Sequence, residues 1–143
     1  MFWDSSALVP TILPGQASAT LLALVASDPQ TTVWWASPVE CQSAMFRRHR
    51  EKPLSTDVLR VAMRRLADLM NSSDVVPPTA TLRERAGRLL AAHPLRAGDA
   101  LQLAAALVSS EDAPQGETFV CLDTRLRDAA RREGFAILPS VSR

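Results

Sequence analysis

Short apolar runs alternate along the chain with longer segments whose apolar residues recur every three or four positions. The runs are rich in β-branched and aromatic residues, which is typical of buried strands, whereas the longer spacing predicts amphipathic helices. The predicted strands cover residues 1–3, 31–36, 75–76, 118–122 and 135–138. The predicted helices cover residues 16–27, 37–50, 55–70, 81–92, 99–108 and 124–133. This alternation predicts an α/β fold in which helices cover both faces of a parallel sheet.

Three details of the helices are predicted from single residues. Ser37 is expected to cap the second helix, because a proline follows it and Glu40 stands three residues later, which together form a capping box. Leu90 is expected to face inward from helix 81–92. Arg127 is expected on the outer face of the last helix, together with the neighbouring arginines.

The composition fits one compact domain over residues 1–143. Hydrophobic residues make up 47% of the 143 positions, which is enough for a core. The net charge of +1 excludes a highly basic nucleic-acid coat, so any nucleic-acid contact must come from a local patch. The run Arg47, Arg48, Arg50 and Lys52 is such a patch, although cations are also favoured at a helix end without any ligand.

The remaining sequence features favour a cytoplasmic protein without structural disulfides. Cys41 and Cys121 are isolated and lack the spacing of a metal-binding pair, so both are expected to be reduced thiols. No apolar run reaches the roughly 18 residues of a membrane span. Asp4 stands where a signal peptide would carry basic residues.

Four carboxylates stand where a strand or a turn gives way to a helix: Asp4, Glu40, Asp99 and Asp123. Asp4 and Asp123 directly follow predicted strands, and Glu40 lies a few residues past another. Because the carboxyl ends of parallel strands share one edge, these side chains are expected to meet there. Asp99 follows no predicted strand and joins them only if its helix begins near the same edge.

Each of these acids can also be explained as a helix cap. Asp99 fits that explanation least, because it opens an otherwise apolar helix in which an unpaired carboxylate is costly to bury. Four carboxylates at one edge would repel and raise one another's pKa unless a divalent cation neutralised them. Oxygen ligands suit Mg²⁺ or Mn²⁺, and phosphodiester hydrolysis is the chemistry that such a site favours.

The segments FWDSSALV, SPVECQSAM, LRAGDALQLAAAL and TFVCLDTRLRDAARREGFAIL resemble the PIN-domain ribonucleases, and most closely the VapC toxins of VapBC toxin–antitoxin modules. The resemblance spans essentially the whole chain and is strongest in its last third. It implies a three-layer α/β/α fold with a central parallel sheet of order 3-2-1-4-5. It also implies a metal-dependent endoribonuclease that cuts RNA with Mg²⁺ or Mn²⁺, forms a homodimer and is neutralised by a cognate VapB-like antitoxin.

The resemblance also assigns roles to individual residues. The catalytic, metal-binding acids correspond to Asp4, Glu40, Asp99 and Asp123. The accessory positions correspond to Ser6, Arg96 and Thr124. Two features depart from the family pattern: the first strand has only three residues before Asp4, and Gly98 stands where a better helix former is usual.

Two other functions compete with the nuclease. The first is a catalytically inactive PIN-fold module that binds RNA or protein and uses the acids only as caps. The second is a phosphoryl-transfer fold with a nucleophilic aspartate after the first strand. That fold would place a second acid where this chain has Ser6, and a lysine near a later strand, where it has only Lys52.

Overall fold

The computed structural model describes residues 1–51 and 54–140. Within these residues, five strands form one parallel sheet in the order β3-β2-β1-β4-β5. The strands are β1 (Phe2–Trp3), β2 (Thr32–Trp34), β3 (Asp74–Val76), β4 (Thr118–Val120) and β5 (Ala136–Leu138). The helices are α1 (Ser5–Ile12), α2 (Ala19–Ser27), α3 (Ser37–Arg50), α4 (Thr56–Ser72), α5 (Ala80–Ala92), α6 (Ala97–Ser109) and α7 (Thr124–Glu133). The predicted fold class and strand order are confirmed.

Successive residues of each strand face opposite sides of the sheet, and each side has its own core. Phe2 stacks on Phe119 with ring centroids 5.4 Å apart, on the side that α5, α6 and α7 cover. Trp3 and Val120 face the other side, among apolar residues of α1, α3 and α4. The sheet is therefore the middle layer of three, and its inner strands β1, β2 and β4 are largely buried on both faces.

The two departures from the family pattern do not disturb the fold. The central strand β1 has two residues, but backbone pairing continues on both sides of it. Thr32 N donates to the Met1 carbonyl, and Asp4 N donates to the Val120 carbonyl, both at 2.9 Å. Helix α6 begins at Ala97, so Gly98 lies inside its first turn.

The predicted cap of α3 is wrong. Ser37 is the first helical residue, Ala36 occupies the cap position, and no side chain caps this end. Proline at the second position supplies the preset backbone angle that a helix start needs, and it leaves no amide to be capped. The side chains of Ser37 and Glu40 are consequently free for contacts across the fold.

Two predictions about burial are also wrong. Leu90 is 44% exposed, because α5 packs through the face that carries Leu82, Ala86 and Leu89. A residue next to Leu89 is rotated by about 100° around the helix axis and leaves that face. Arg127 is only 7% exposed and is not on the outer face of α7.

Three further predictions concern the cysteines, membrane-spanning helices and the basic patch. Cys41 and Cys121 are free and buried, as expected of reduced thiols. Among the described residues, no helix has the length and hydropathy needed to cross a membrane. Lys52, the last residue of the predicted basic patch, lies outside the described residues.

Candidate active site

A cavity of about 620 Å³ opens at the carboxyl edge of the sheet, and all four predicted acids line it. Asp4 follows β1 and Asp123 follows the end of β4, whereas Glu40 and Asp99 lie in the first turns of α3 and α6. The structure therefore brings together carboxylates that are separated by up to 119 positions in the sequence, because parallel strands end at one edge. Asp99 reaches this edge although no strand directly precedes it.

The accessory positions are placed differently from one another. Ser6 lines the cavity, and its hydroxyl oxygen accepts hydrogen bonds from Leu122 N at 2.9 Å and Asp123 N at 3.3 Å. Ser6 thus ties the start of α1 to the turn that carries Asp123. Arg96 and Thr124 are exposed and are absent from the cavity lining in the part of the chain that the structure describes.

Three of the acids do cap helices, but each uses only one carboxylate oxygen to do so. Asp4 accepts from Ser6 N at 2.9 Å, Asp99 from the backbone amide three residues earlier at 3.3 Å, and Asp123 from the amide three residues later at 2.9 Å. The second oxygen of each accepts no hydrogen bond from residues 1–51 or 54–140. Capping fixes the position of these carboxylates and leaves an oxygen of each available to a ligand.

Glu40 is held by a buried glutamine that the sequence analysis did not select. Gln102 Nε2 donates to Glu40 Oε2 at 2.7 Å and to Ser37 Oγ at 3.3 Å. Gln102 is 1% exposed, and it lies three residues after Asp99 on the same face of α6. A single polar residue inside an apolar helix was the signal that could have identified it, because a buried amide needs a partner.

Burial raises the pKa of both Asp4 and Glu40 from their ordinary values of 3.8 and 4.5. The charge of Asp99 raises the pKa of each further, while hydrogen bonds from Ser6 to Asp4 and from Gln102 to Glu40 lower it. Loss of hydration is thus a larger cause than the mutual repulsion that the sequence suggested. The cavity holds negative charge that the protein alone does not fully stabilise.

Cys121 lies beside the carboxylate of Asp4, but its thiol is uncharged. Its sulfur is 3.6 Å from Asp4 Oδ2, and burial raises the pKa of the thiol well above its usual range. The thiol therefore stays protonated and donates to the carboxylate.

The raised pKa of Asp4 predicts a specific pH dependence of stability. A carboxyl group with a raised folded-state pKa stabilises the fold fully below its ordinary pKa, and this contribution is lost as the pH rises through the raised value. In a chelating buffer, Asp4→Asn should therefore gain stability relative to the parent as the pH rises above 3.8, the ordinary pKa of this carboxyl group. Urea unfolding across this range measures the difference.

Asp57→Asn is the control for this experiment, because Asp57 is an exposed residue of α4 whose only ion pair within residues 1–51 and 54–140 is with Arg60. Its effect on the unfolding free energy should be small throughout the same pH range, because exposed ion pairs contribute little. A constant difference between Asp4→Asn and the parent would contradict the raised pKa.

The PIN domain family model matches residues 1–132, so the chain belongs to the PIN-domain family. Ribonuclease VapC45 from Mycobacterium tuberculosis (strain CDC 1551 / Oshkosh) is 30% identical over 141 residues, which cover 98% of this chain and 95% of that relative. The resemblance to VapC proteins is thereby confirmed over nearly the whole chain.

Solved structures agree with this fold. FitAcB from Neisseria gonorrhoeae superposes with a TM-score of 0.66 at 14% identity, covering 96% of both chains. A toxin–antitoxin complex from Klebsiella pneumoniae superposes with a TM-score of 0.61 at 16% identity, covering 87% of both chains.

Proposed function

We propose that this chain is an endoribonuclease that hydrolyses RNA phosphodiester bonds with Mg²⁺ or Mn²⁺, and that it is the toxin of a VapBC toxin–antitoxin module. The observation that supports this most directly is the convergence of Asp4, Glu40, Asp99 and Asp123 on one cavity. The similarity to a relative named a VapC ribonuclease supports RNA as the substrate.

The chemistry of the cavity fits a hard divalent cation. Carboxylate oxygens are the ligands that Mg²⁺ and Mn²⁺ prefer, and buried Asp4 and half-buried Glu40 would be stabilised by a positive charge. Asp4, Asp99 and Asp123 would hold the ion, and Glu40 would position a water molecule or a second ion. When bound, such an ion polarises a phosphoryl oxygen, activates water and stabilises the leaving oxygen.

The side chains as they lie are not yet arranged as a metal site. Among residues 1–51 and 54–140, no group of three or more histidine, cysteine, aspartate or glutamate side chains could hold an ion. Helix-capping hydrogen bonds hold Asp4, Asp99 and Asp123 in their present positions. An ion would have to draw the free oxygens together by side-chain rotation, and its charge would offset the repulsion between them.

The protein's own groups prepare the cavity for an RNA phosphate. The amino-terminal ends of α1, α6 and α7 carry Asp4, Asp99 and Asp123, so the positive ends of three helix dipoles lie at this edge. These dipoles favour anions, including a phosphodiester. Gln102 keeps Glu40 directed into the cavity by binding its Oε2 atom.

Three further parts of the proposal rest on family membership. The chain would act as a single domain over residues 1–143, form a homodimer, and be neutralised by a cognate VapB-like antitoxin. The solved toxin–antitoxin complex of the same fold supports an antitoxin as the partner.

Calorimetric titration with Mn²⁺ tests the metal site. We expect saturable binding by the parent, and at least about tenfold weaker binding by Asp4→Asn, because one carboxylate ligand is lost. Asp57→Asn should bind Mn²⁺ like the parent, since Asp57 is exposed on α4. Absence of saturable binding by the parent would contradict the proposal and favour the catalytically inactive module.

A further inference from the structure

Two arginines line the same cavity as the four acids. Arg47 and Arg48 lie in the last turn of α3, whose first turn carries Glu40. Arg47 is seven positions after Glu40, so it lies on nearly the same helix face about 10 Å further along the axis. Helical side chains lean toward the amino terminus, which is the end of α3 that carries Glu40.

Neither guanidinium forms an ion pair with the acids. Within the described residues, no carboxylate lies within salt-bridge distance of Arg47 or Arg48. Each acid is instead oriented by an amide: the side chain of Gln102 for Glu40, and backbone N–H groups for the other three. The positive charges of the cavity are therefore left for a ligand.

Arg48 is fixed in position without being neutralised. Its Nη1 atom donates to Gln16 Oε1 at 2.7 Å, and Gln16 lies in the loop between α1 and α2. An amide oxygen is a neutral acceptor, so the guanidinium keeps its full charge and its other donors. Ordering a long cation beforehand reduces the entropy that binding an anion would cost.

The helix dipole alone does not account for this arrangement. Basic residues at positions 47, 48 and 50 all benefit from the carboxyl end of α3. Arg50 shares that benefit but is not among the residues that line the cavity in the described part of the chain. Arg50 is therefore a matched control that separates a dipole effect from a ligand contact.

We propose that Arg47 and Arg48 form a subsite that binds an RNA phosphate neighbouring the scissile one, and that Gln16 is the positioning residue for Arg48. This inference rests on the proposed ribonuclease function and adds to it a binding site for the RNA that flanks the scissile phosphate. Glu40 lies in the first turn of α3 and the two arginines in its last turn, so the strand would run along α3. Guanidinium groups suit phosphate because they offer paired N–H donors.

Fluorescence anisotropy with a labelled mixed-sequence oligoribonucleotide tests the subsite. The titrations use EDTA, which prevents metal-dependent cleavage, at several KCl concentrations. We expect Arg47→Ala and Arg48→Ala each to weaken binding roughly three- to tenfold at low salt. Each should also reduce the slope of log affinity against log salt by about 0.7, the value for one lost phosphate contact on a single strand.

Arg50→Ala should stay within about twofold of the parent and keep the parent's salt slope. Equal losses in Arg50→Ala and Arg47→Ala would overturn the subsite, because general attraction would explain both. Unchanged binding by Arg47→Ala and Arg48→Ala would overturn it as well.

Gln16 provides a second, independent test. Gln16→Ala removes no charge, yet it should reduce the salt slope if it positions the phosphate contact of Arg48. The double variant Gln16→Ala/Arg48→Ala should bind like Arg48→Ala alone, because both changes remove one interaction. Additive losses with an unchanged slope in Gln16→Ala would overturn the positioning role.

Failure of the subsite can be distinguished from failure of the proposed function. If the parent binds and cleaves RNA but the arginine variants bind like it, only the subsite is wrong. If the parent neither binds this oligoribonucleotide nor cleaves RNA with Mg²⁺ or Mn²⁺, the ribonuclease function fails and the subsite fails with it.

Discussion

Asp4→Asn is expected to reduce RNA cleavage by at least about a hundredfold, because a cation that supplies several kcal/mol of charge stabilisation would lose a ligand. Asparagine has nearly the same shape, and its side-chain oxygen can still accept the hydrogen bond that Ser6 N donates to Asp4. The substitution removes the charge and preserves the cap. Gel analysis of cellular RNA incubated with Mg²⁺ or Mn²⁺ measures the effect.

The fold of this variant should be at least as stable as the parent near neutral pH. Asp4 is 3% exposed, and burial raises its pKa, so its ionised form costs folding free energy. A neutral amide avoids that cost. Urea unfolding provides the check, and Asp57→Asn controls for the loss of a carboxylate at an exposed position. Cleavage at the parent's rate by Asp4→Asn would remove Asp4 from the site.

Arg127→Ala is expected to lower the free energy of unfolding by about 3 kcal/mol, because it removes three hydrogen bonds from a charged donor to carbonyl groups, one of them fully buried. Arg127 Nη1 donates to the Cys121 carbonyl at 2.6 Å and to the Leu138 carbonyl at 3.3 Å. Its Nη2 donates to the Pro139 carbonyl at 2.7 Å. These carbonyls lie at the carboxyl end of β5 or just beyond the ends of β4 and β5, so one side chain joins two strands.

Arg125→Ala is the matched control for this prediction. Arg125 lies on the same helix but is exposed, so its loss should change stability by less than about 0.5 kcal/mol. Urea unfolding of both variants measures the contrast. Arg127→Ala should also reduce activity, since Asp123 follows Cys121 by two residues and depends on this strand end. Equal stability of the two variants would show that the buried bonds contribute nothing.

The burial of Arg127 could not be predicted from the sequence pattern of α7. The pattern of α7 identified its bounds well: Asp123 caps it, and Gly134 ends it with a φ of +111° that favours glycine. The same pattern placed Arg127 outside, because charged residues usually face water. Carbonyl groups from two strand ends attract this guanidinium, and they are assembled only when β4 pairs with β5.

The candidate site, too, could be predicted from the sequence only in part. Because strands were predicted to alternate with helices and so to run parallel, the acids after β1 and β4 had to share an edge. The sequence did not show that Gln102 of α6 would bind Glu40 of α3, nor that Arg47 would line their cavity. These contacts depend on which helices lie side by side, and helical periodicity specifies a buried face but not its neighbour.

The sequence by itself determined the alternation of strands and helices, the parallel sheet and the edge at which the carboxylates collect. These follow from periodicity, capping and chain direction, which involve residues close together in the chain. Only the tertiary structure decided which side chains hold the acids, which cations line the cavity and which polar groups are buried. Such contacts join residues far apart in the sequence, because packing between layers selects their partners.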